Sequence, residues 1–346
     1  MRHLITVVLS SVLAAGGFVA AQTPKARHNK VIALLEAGQP VFGLYAPSNR
    51  RFPGGPPGTG RPAGAPGQPV QPARPEVPAK TPADLAREAV AYKLSDFVFD
   101  GSMEGNFERA YPAFAEFSKA LSGAGIIART PALHLTHPMI VKSPELRPDL
   151  AATQAAIGKQ LNLGVSGIML VTVETADEAR AGIAAMRFRS KGGVRPDDVG
   201  GAPAVWGMSE AEYRQKADVW PLDPQGELIN WTIVESKKGL ANLKEIAAVP
   251  GIGVLWPGAG TLRGVFSTTG ADGTRVLDEP AWENAIQSVL AACKANKLAC
   301  GFPANASDIE TRMKQGFNVF VMNWGDPGFK TVEMGRKIAG RTDTTR

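Results

Sequence analysis

Eight short apolar runs, each rich in β-branched or aromatic residues, recur along the chain between stretches of helical periodicity. That alternation constrains the fold more than any other feature. The runs are Val41–Ala46, Asp96–Asp100, Ile126–Arg129, Gly167–Val173, Ile229–Glu235, Gly251–Trp256, Ala299–Phe302 and Asn318–Trp324. Helical patterns lie between them, at Asn106–Leu121, Pro148–Leu161, Asp177–Phe188, Ser209–Ala217, Lys237–Ala247, Glu279–Ala295 and Ser307–Gln315. One more opens at Thr81-Pro82-Ala83-Asp84, where Thr81 caps the helix and Pro82 fills its first position. Eight strand–helix units in sequence predict a parallel sheet closed as a (β/α)₈ TIM barrel. A doubly wound sheet is the alternative, but no Gly-rich fingerprint follows the first strand.

One stretch breaks the pattern. Residues 51–80 hold 9 Pro and 6 Gly with no apolar run, and they read as a disordered insertion in the first strand-to-helix loop. The start of the chain, residues 1–21, has Arg2, an apolar run from Leu4 to Ala15 and a small-residue end at Ala21. That pattern predicts a signal peptide and an exported protein, periplasmic or secreted, with no membrane span after cleavage. The expected organisation is therefore residues 22–50 as the start of the barrel, residues 81–338 as its remainder, and residues 339–346 as a tail.

Net charge is +6, but residues 51–80 alone contribute Arg51, Arg61, Arg74 and Lys80 against Glu76, a net of +3. No basic stripe with interleaved aromatics remains to read nucleic acid, so a nucleic-acid partner is not expected. Two cysteines, Cys293 and Cys300, stand seven residues apart. Export permits a disulfide that would join a helix end to the next strand; a buried pair of thiols is the other reading.

The order of segments resembles the HpcH/HpaI aldolase/citrate lyase family, the metal-dependent pyruvate aldolases. The residues that carry the resemblance are Asn29–Ser48, Ser95–Asp100, Ile126–Thr130, Gly164–Phe188 with its ADEA helix start, and Ile229–Gly260. The resemblance implies carbon–carbon lyase chemistry on a 2-keto acid, a divalent Mg²⁺ or Mn²⁺ that stabilises the enolate, and a homo-oligomer. It assigns the metal to Glu235, the keto acid to Arg129 and proton transfer to Asp100. Cations suit that chemistry because negative charge develops on the enolate oxygen.

The chain also departs from the family pattern. Met103 or Gly105 stands where a proton-transferring His is expected, Gly260 where the second metal carboxylate is expected, and Ile233 where a Gln is usual. The expectation is thus an aldolase-like lyase with an eroded metal and proton-transfer site. The alternative is a non-catalytic exported barrel that binds a small carboxylate or has lost its ligand. His134 and His137, close after Arg129, are candidates to replace a lost ligand or base.

Overall fold

The computed structural model describes residues 26–49 and 78–341. The expected signal peptide, residues 51–77 of the insertion, and residues 342–346 of the tail lie outside them. Eight parallel strands close the barrel: β1 (Val41–Tyr45), β2 (Val98–Asp100), β3 (Met139–Lys142), β4 (Gly167–Leu170), β5 (Leu228–Val234), β6 (Ile252–Pro257), β7 (Ala299–Pro303) and β8 (Val319–Met322), and a ninth short strand of the same sheet, Val219–Trp220, pairs parallel beside β5. Each pairs with its sequence neighbours, and β8 returns to β1 through Val41↔Val319, so the barrel closes. Helices follow the strands as expected for a TIM barrel, from Pro82–Ala91 after β1 to Asp326–Ile338 after β8. Thr81 caps the first of these helices in a complete capping box with Asp84.

Seven of the eight expected runs are barrel strands. The exception is Ile126–Arg129. Its core, Ile127–Ala128, pairs antiparallel with His134–Leu135 in a separate hairpin. The third barrel strand is instead Met139–Lys142, which pairs with β2 and β4. The hairpin bonds back to the entering chain, with the Leu135 N–H donating to the carbonyl of His28 at 2.9 Å. Asn29 in turn reaches the carbonyls of Ser166 and Glu227, just before β4 and β5. The hairpin therefore lies at the amino-terminal face of the barrel.

The barrel interior is aromatic. Trp231 is fully buried, stacks on Trp256 with ring centroids 5.5 Å apart, and meets the edge of Phe97. Such ring pairs contribute about 0.5–1.5 kcal/mol beyond the area they bury. Gly301 on β7 makes room for them: a Cβ there would stand 1.8 Å from the Trp256 ring. Large rings fill the barrel centre, and open space lies at its carboxyl end.

Two loops follow strands at that end. Asn49 and Lys80 exchange two backbone–side-chain hydrogen bonds of 2.8 Å, so the described ends of the insertion meet beside β1. After β6 the chain forms a short helix, Ala259–Val265, and a hairpin of Ser267–Thr269 with Arg275–Leu277. Neither element is legible in the sequence, because glycines dominate the turn before them. Cys293 and Cys300 are bridged, with Cα atoms 5.7 Å apart, joining the end of helix Glu279–Asn296 to β7.

Candidate active site

At the carboxyl ends of the strands a cavity of about 520 Å³ opens, a volume suited to a small ligand. Its floor is apolar, built by Phe99, Met169, Ile233, Trp256 and Val321. Its polar groups are Tyr45 ending β1, Lys142 ending β3 and Glu235 following β5, with Thr261, Arg263, Ser267 and Arg275 on the outer wall. Three cations thus face one carboxylate among the lining residues.

Glu235 stands where the sequence pattern puts it, one residue past β5 and only 5% exposed. Its Oε1 accepts from the Thr172 N–H at 3.0 Å and the Thr172 hydroxyl at 3.2 Å. Thr172 adopts φ +50°, a left-handed conformation costly for a β-branched residue, at about 1–3 kcal/mol. The strained residue aims two donors at the site's carboxylate. Gly258 completes the cradle, since a Cβ there would lie 2.2 Å from the Cβ of Glu235 and 2.7 Å from its Oε2.

Beside Glu235, the loops are tied together. Glu174 accepts from the Ser236 hydroxyl at 2.7 Å and pairs with Arg147 at 2.7 Å and Lys238 at 3.3 Å. The hydroxyl bond, then the two cations, hold the Glu174 carboxyl below its ordinary value. The loops after β4 and β5 are thereby joined, and Glu235 is fixed between them.

Lys142 is absent from the candidates that the sequence suggests. It ends the strand that local pattern does not separate from the hairpin, and its ammonium pairs with Glu104 at 2.8 Å. Burial works to lower its pKa, but the charge of Glu104, then Tyr45, and farther off Glu235, hold it above the ordinary lysine value. The Tyr45 phenol, its ring edge against Phe99, is pushed up by burial. The signal that could find Lys142 is the run Met139–Lys142, alternation-free and β-branched, ending in a cation before Ser143-Pro144.

Asp100 ends β2 at the same rim, opposite Val141 of β3. Its Oδ1 accepts from the Ser102 N–H at 2.8 Å and hydroxyl at 2.6 Å, an Asx-turn that shapes the loop. Met103, a candidate for the missing His position, is fully buried and turned toward Gln160 in the helix layer. Glu104, in the same loop, is the partner of Lys142.

Arg129 is not at this rim. It follows the hairpin strand Ile127–Ala128 at the amino-terminal face, exposed, with its Nη2 3.5 Å from the Gly207 carbonyl. Its run is not a barrel strand, so the structure does not bring Arg129 together with Glu235 at the cavity. His134 and His137 fall on the same wrong face; His137 is buried and bonds the carbonyl of Tyr92 at 3.2 Å. Neither can assist Glu235.

A closed eight-stranded α/β barrel with a charged cavity over its strand carboxyl ends is the architecture of barrel enzymes. The chain belongs to the HpcH/HpaI aldolase/citrate lyase family, whose model matches residues 125–325. Among curated proteins it is 26% identical over 165 residues to a 2-dehydro-3,6-dideoxy-6-sulfogluconate aldolase of Pseudomonas putida, a match covering 46% of this chain and 57% of that one. It is 28% identical over 200 residues to a 4-hydroxy-2-oxovalerate aldolase of Novosphingobium aromaticivorans, covering 56% and 65% respectively. The matches thus span under two thirds of each relative. A family protein from Burkholderia cenocepacia shares the fold with a TM-score of 0.57 at 21% identity, over 88% of this chain and 95% of that one.

Proposed function

We propose that the protein is a carbon–carbon lyase that makes or breaks the bond next to the enolate of a 2-keto acid held in the mouth cavity. The observation that carries this reading is Glu235, buried, pinned by Thr172 and facing a cavity whose few charged groups are otherwise cations, in a chain of an aldolase family. The aldolases among its relatives, one of them named for a 2-oxo acid, support the same substrate class. In the cleavage direction a base takes the proton of the aldol hydroxyl, the carbon–carbon bond breaks, and its electron pair becomes the enolate. Glu235 is that base. Cations around it stabilise the charge that develops on oxygen. Asp100, its Oδ1 held by Ser102, ends β2 on the same rim and is the residue that the family resemblance gives to proton transfer.

A Mg²⁺ or Mn²⁺ ion does not fit the donors present. Glu235 is the one carboxylate among the lining residues, and one of its oxygens is committed to Thr172. Gly260 brings no side-chain oxygen to the turn where a second ligand would be needed, so Glu235 alone would have to hold an ion that proteins bind through one or two carboxylates together with several waters. Among the described residues no three His, Cys, Asp or Glu side chains come together around such an ion. The stabilising charge in the proposed reaction therefore comes from the cavity's own side chains.

Location and assembly follow the same lines. The leader pattern of residues 1–21 and the Cys293–Cys300 bridge both suit an oxidising compartment outside the cytoplasm, and family membership suits a homo-oligomer. Among the described residues no helix is long and apolar enough to cross a membrane. Release of pyruvate from oxaloacetate and from 4-hydroxy-2-oxo acids, followed with the full chain, tests the lyase activity. Turnover above buffer is expected with both, and release from the 4-hydroxy-2-oxo acids, whose hydroxyl proton Glu235 takes, should fall about a hundredfold or more in Glu235→Gln; release equal to buffer sinks the reading.

A further inference from the structure

We propose that Tyr45 is the acid that protonates the enolate at carbon, the step that turns the cleaved fragment into a free keto acid. The inference rests on the lyase reading for the enolate, and on the placement of the phenol for everything else.

Cleavage leaves one proton transfer without a donor. Glu235 takes the proton of the aldol hydroxyl, and a second proton must reach carbon before the keto acid can leave. The turn after β2 offers none: Met103 is buried toward the helix layer and Gly105 has no side chain. Asp100 is not among the lining residues, and its Oδ1 is taken by Ser102. On the outer wall, arginines do not give up their protons, and the hydroxyls of Thr261 and Ser267 are feeble acids. The Lys142 ammonium is held by Glu104 at 2.8 Å. Tyr45 is the remaining donor in the lining.

Its placement suits the task. Tyr45 ends β1 in register with Phe99, and the Ala46 N–H donates to the Phe99 carbonyl at 2.7 Å, which fixes the strand end. The two rings meet edge to face, with centroids 5.0 Å apart. In the closed barrel β1 and β5 are four strands apart in either direction, so the phenol and Glu235 approach the cavity from opposite sides. A buried tyrosine hydroxyl normally finds a partner. This one makes no hydrogen bond among the described residues, and the space its side chain lines is the cavity. Burial keeps the phenol neutral and able to donate. The stem of Lys142 runs beside the ring: a Cβ at Gly101 would stand 3.4 Å from Lys142 Cδ and 3.8 Å from Tyr45 Cε1. The positive charge of Lys142 favours the phenolate that donation leaves behind.

The step balances. The phenol O–H breaks, the enolate electron pair forms the new C–H bond, and the ketone C=O is restored. Water then returns a proton to the phenolate and accepts the one that Glu235 holds.

Exchange of pyruvate methyl protons with D₂O, followed by NMR on the full-length protein, reads the same step in both directions. The wild type is expected to exchange them. Tyr45→Phe keeps the ring and loses the hydroxyl; it should slow exchange about a hundredfold or more while pyruvate affinity stays within about threefold. Cleaving a 4-hydroxy-2-oxo acid, the same variant should release aldehyde ahead of pyruvate, because free enol converts slowly in solution. Exchange within about threefold of wild type overturns the proposal, as does a Tyr45→Phe protein that folds by circular dichroism but no longer binds pyruvate. Exchange by the wild type without pyruvate release from any 4-hydroxy-2-oxo acid sinks the lyase reading and leaves this one standing. Pyruvate release that is untouched in Tyr45→Phe does the reverse. A wild type that does neither overturns both.

Discussion

The two ends of the barrel use charge in opposite ways. At the amino-terminal face, charged groups are buried and matched. Asp96, fully buried, accepts from the Phe42 N–H at 3.0 Å and pairs with Lys30, Arg336 and Arg341 at 3.0, 3.4 and 2.6 Å. Arg27 pairs with Glu36 and lies 3.5 Å from Glu227, which also takes the Asn29 N–H. At the carboxyl end, Lys142 and Glu235 line open space, and strain is stored in Thr172. The difference separates roles: polar groups at the closed end are sealed into the fold, while Lys142 and Glu235, each held by a neighbour, also face the cavity.

The comparison breaks first, and by the largest amount, under acid. Burial drives the imidazoles of His28 and His137, both at the closed end, from the ordinary 6.5 down to about 4. Between those values the unfolded chain takes up protons that the folded chain refuses. Stability is therefore complete above pH 6.5 and is lost as pH falls from about 6.5 to about 4, on the order of 3 kcal/mol per histidine. Urea unfolding midpoints across pH 7 to 4 check this, and a flat profile over that range contradicts it. Removing one matched charge comes next. Asp96→Ala strands Lys30, Arg336 and Arg341 around an empty site and should cost about 3–5 kcal/mol in the same assay, with pyruvate release by the folded fraction unchanged. Burial alone would raise the Asp96 carboxyl, but Arg341, Lys30 and the Phe42 N–H outweigh it and hold it low, so its own acid loss falls below the histidine range.

The smallest effect is expected at Arg129. It is exposed, makes one weak contact to Gly207 and lies at the opposite end of the barrel from the cavity. Arg129→Ala should therefore shift stability by no more than about 0.5 kcal/mol and leave pyruvate release within twofold. A loss of turnover comparable to Glu235→Gln would mean that the keto acid binds at the closed end instead.

The repeating strands are readable because each is a short apolar run between helical periods, and β-branched runs such as Leu228–Val234 leave little ambiguity. Glu235 is readable through the family resemblance, which matches the segment Ile229–Gly260 that carries it at the end of that strand. The third strand is not. Ile126–Arg129 and Met139–Lys142 are both brief and β-branched, and local pattern cannot say which joins a barrel and which pairs with the entering chain at His28. That single exchange puts Lys142 rather than Arg129 at the rim. The helix Ala259–Val265 escapes because its glycines resemble a loop, although the close approach of Gly258 to Glu235 requires the glycine that precedes it. Neither the matched charges around Asp96 nor the pairing of Lys142 with Glu104 is local in sequence, and neither leaves a motif.

The central claim is that a 2-keto acid binds at the open end between Tyr45 and Glu235. A crystal structure of the protein grown with pyruvate in EDTA tests it directly. The account predicts the anion on the floor of Phe99, Ile233 and Trp256, with its methyl carbon facing the Tyr45 hydroxyl. An empty mouth with the anion beside Arg129, or an anion seen only with a metal bound to Glu235, would contradict it.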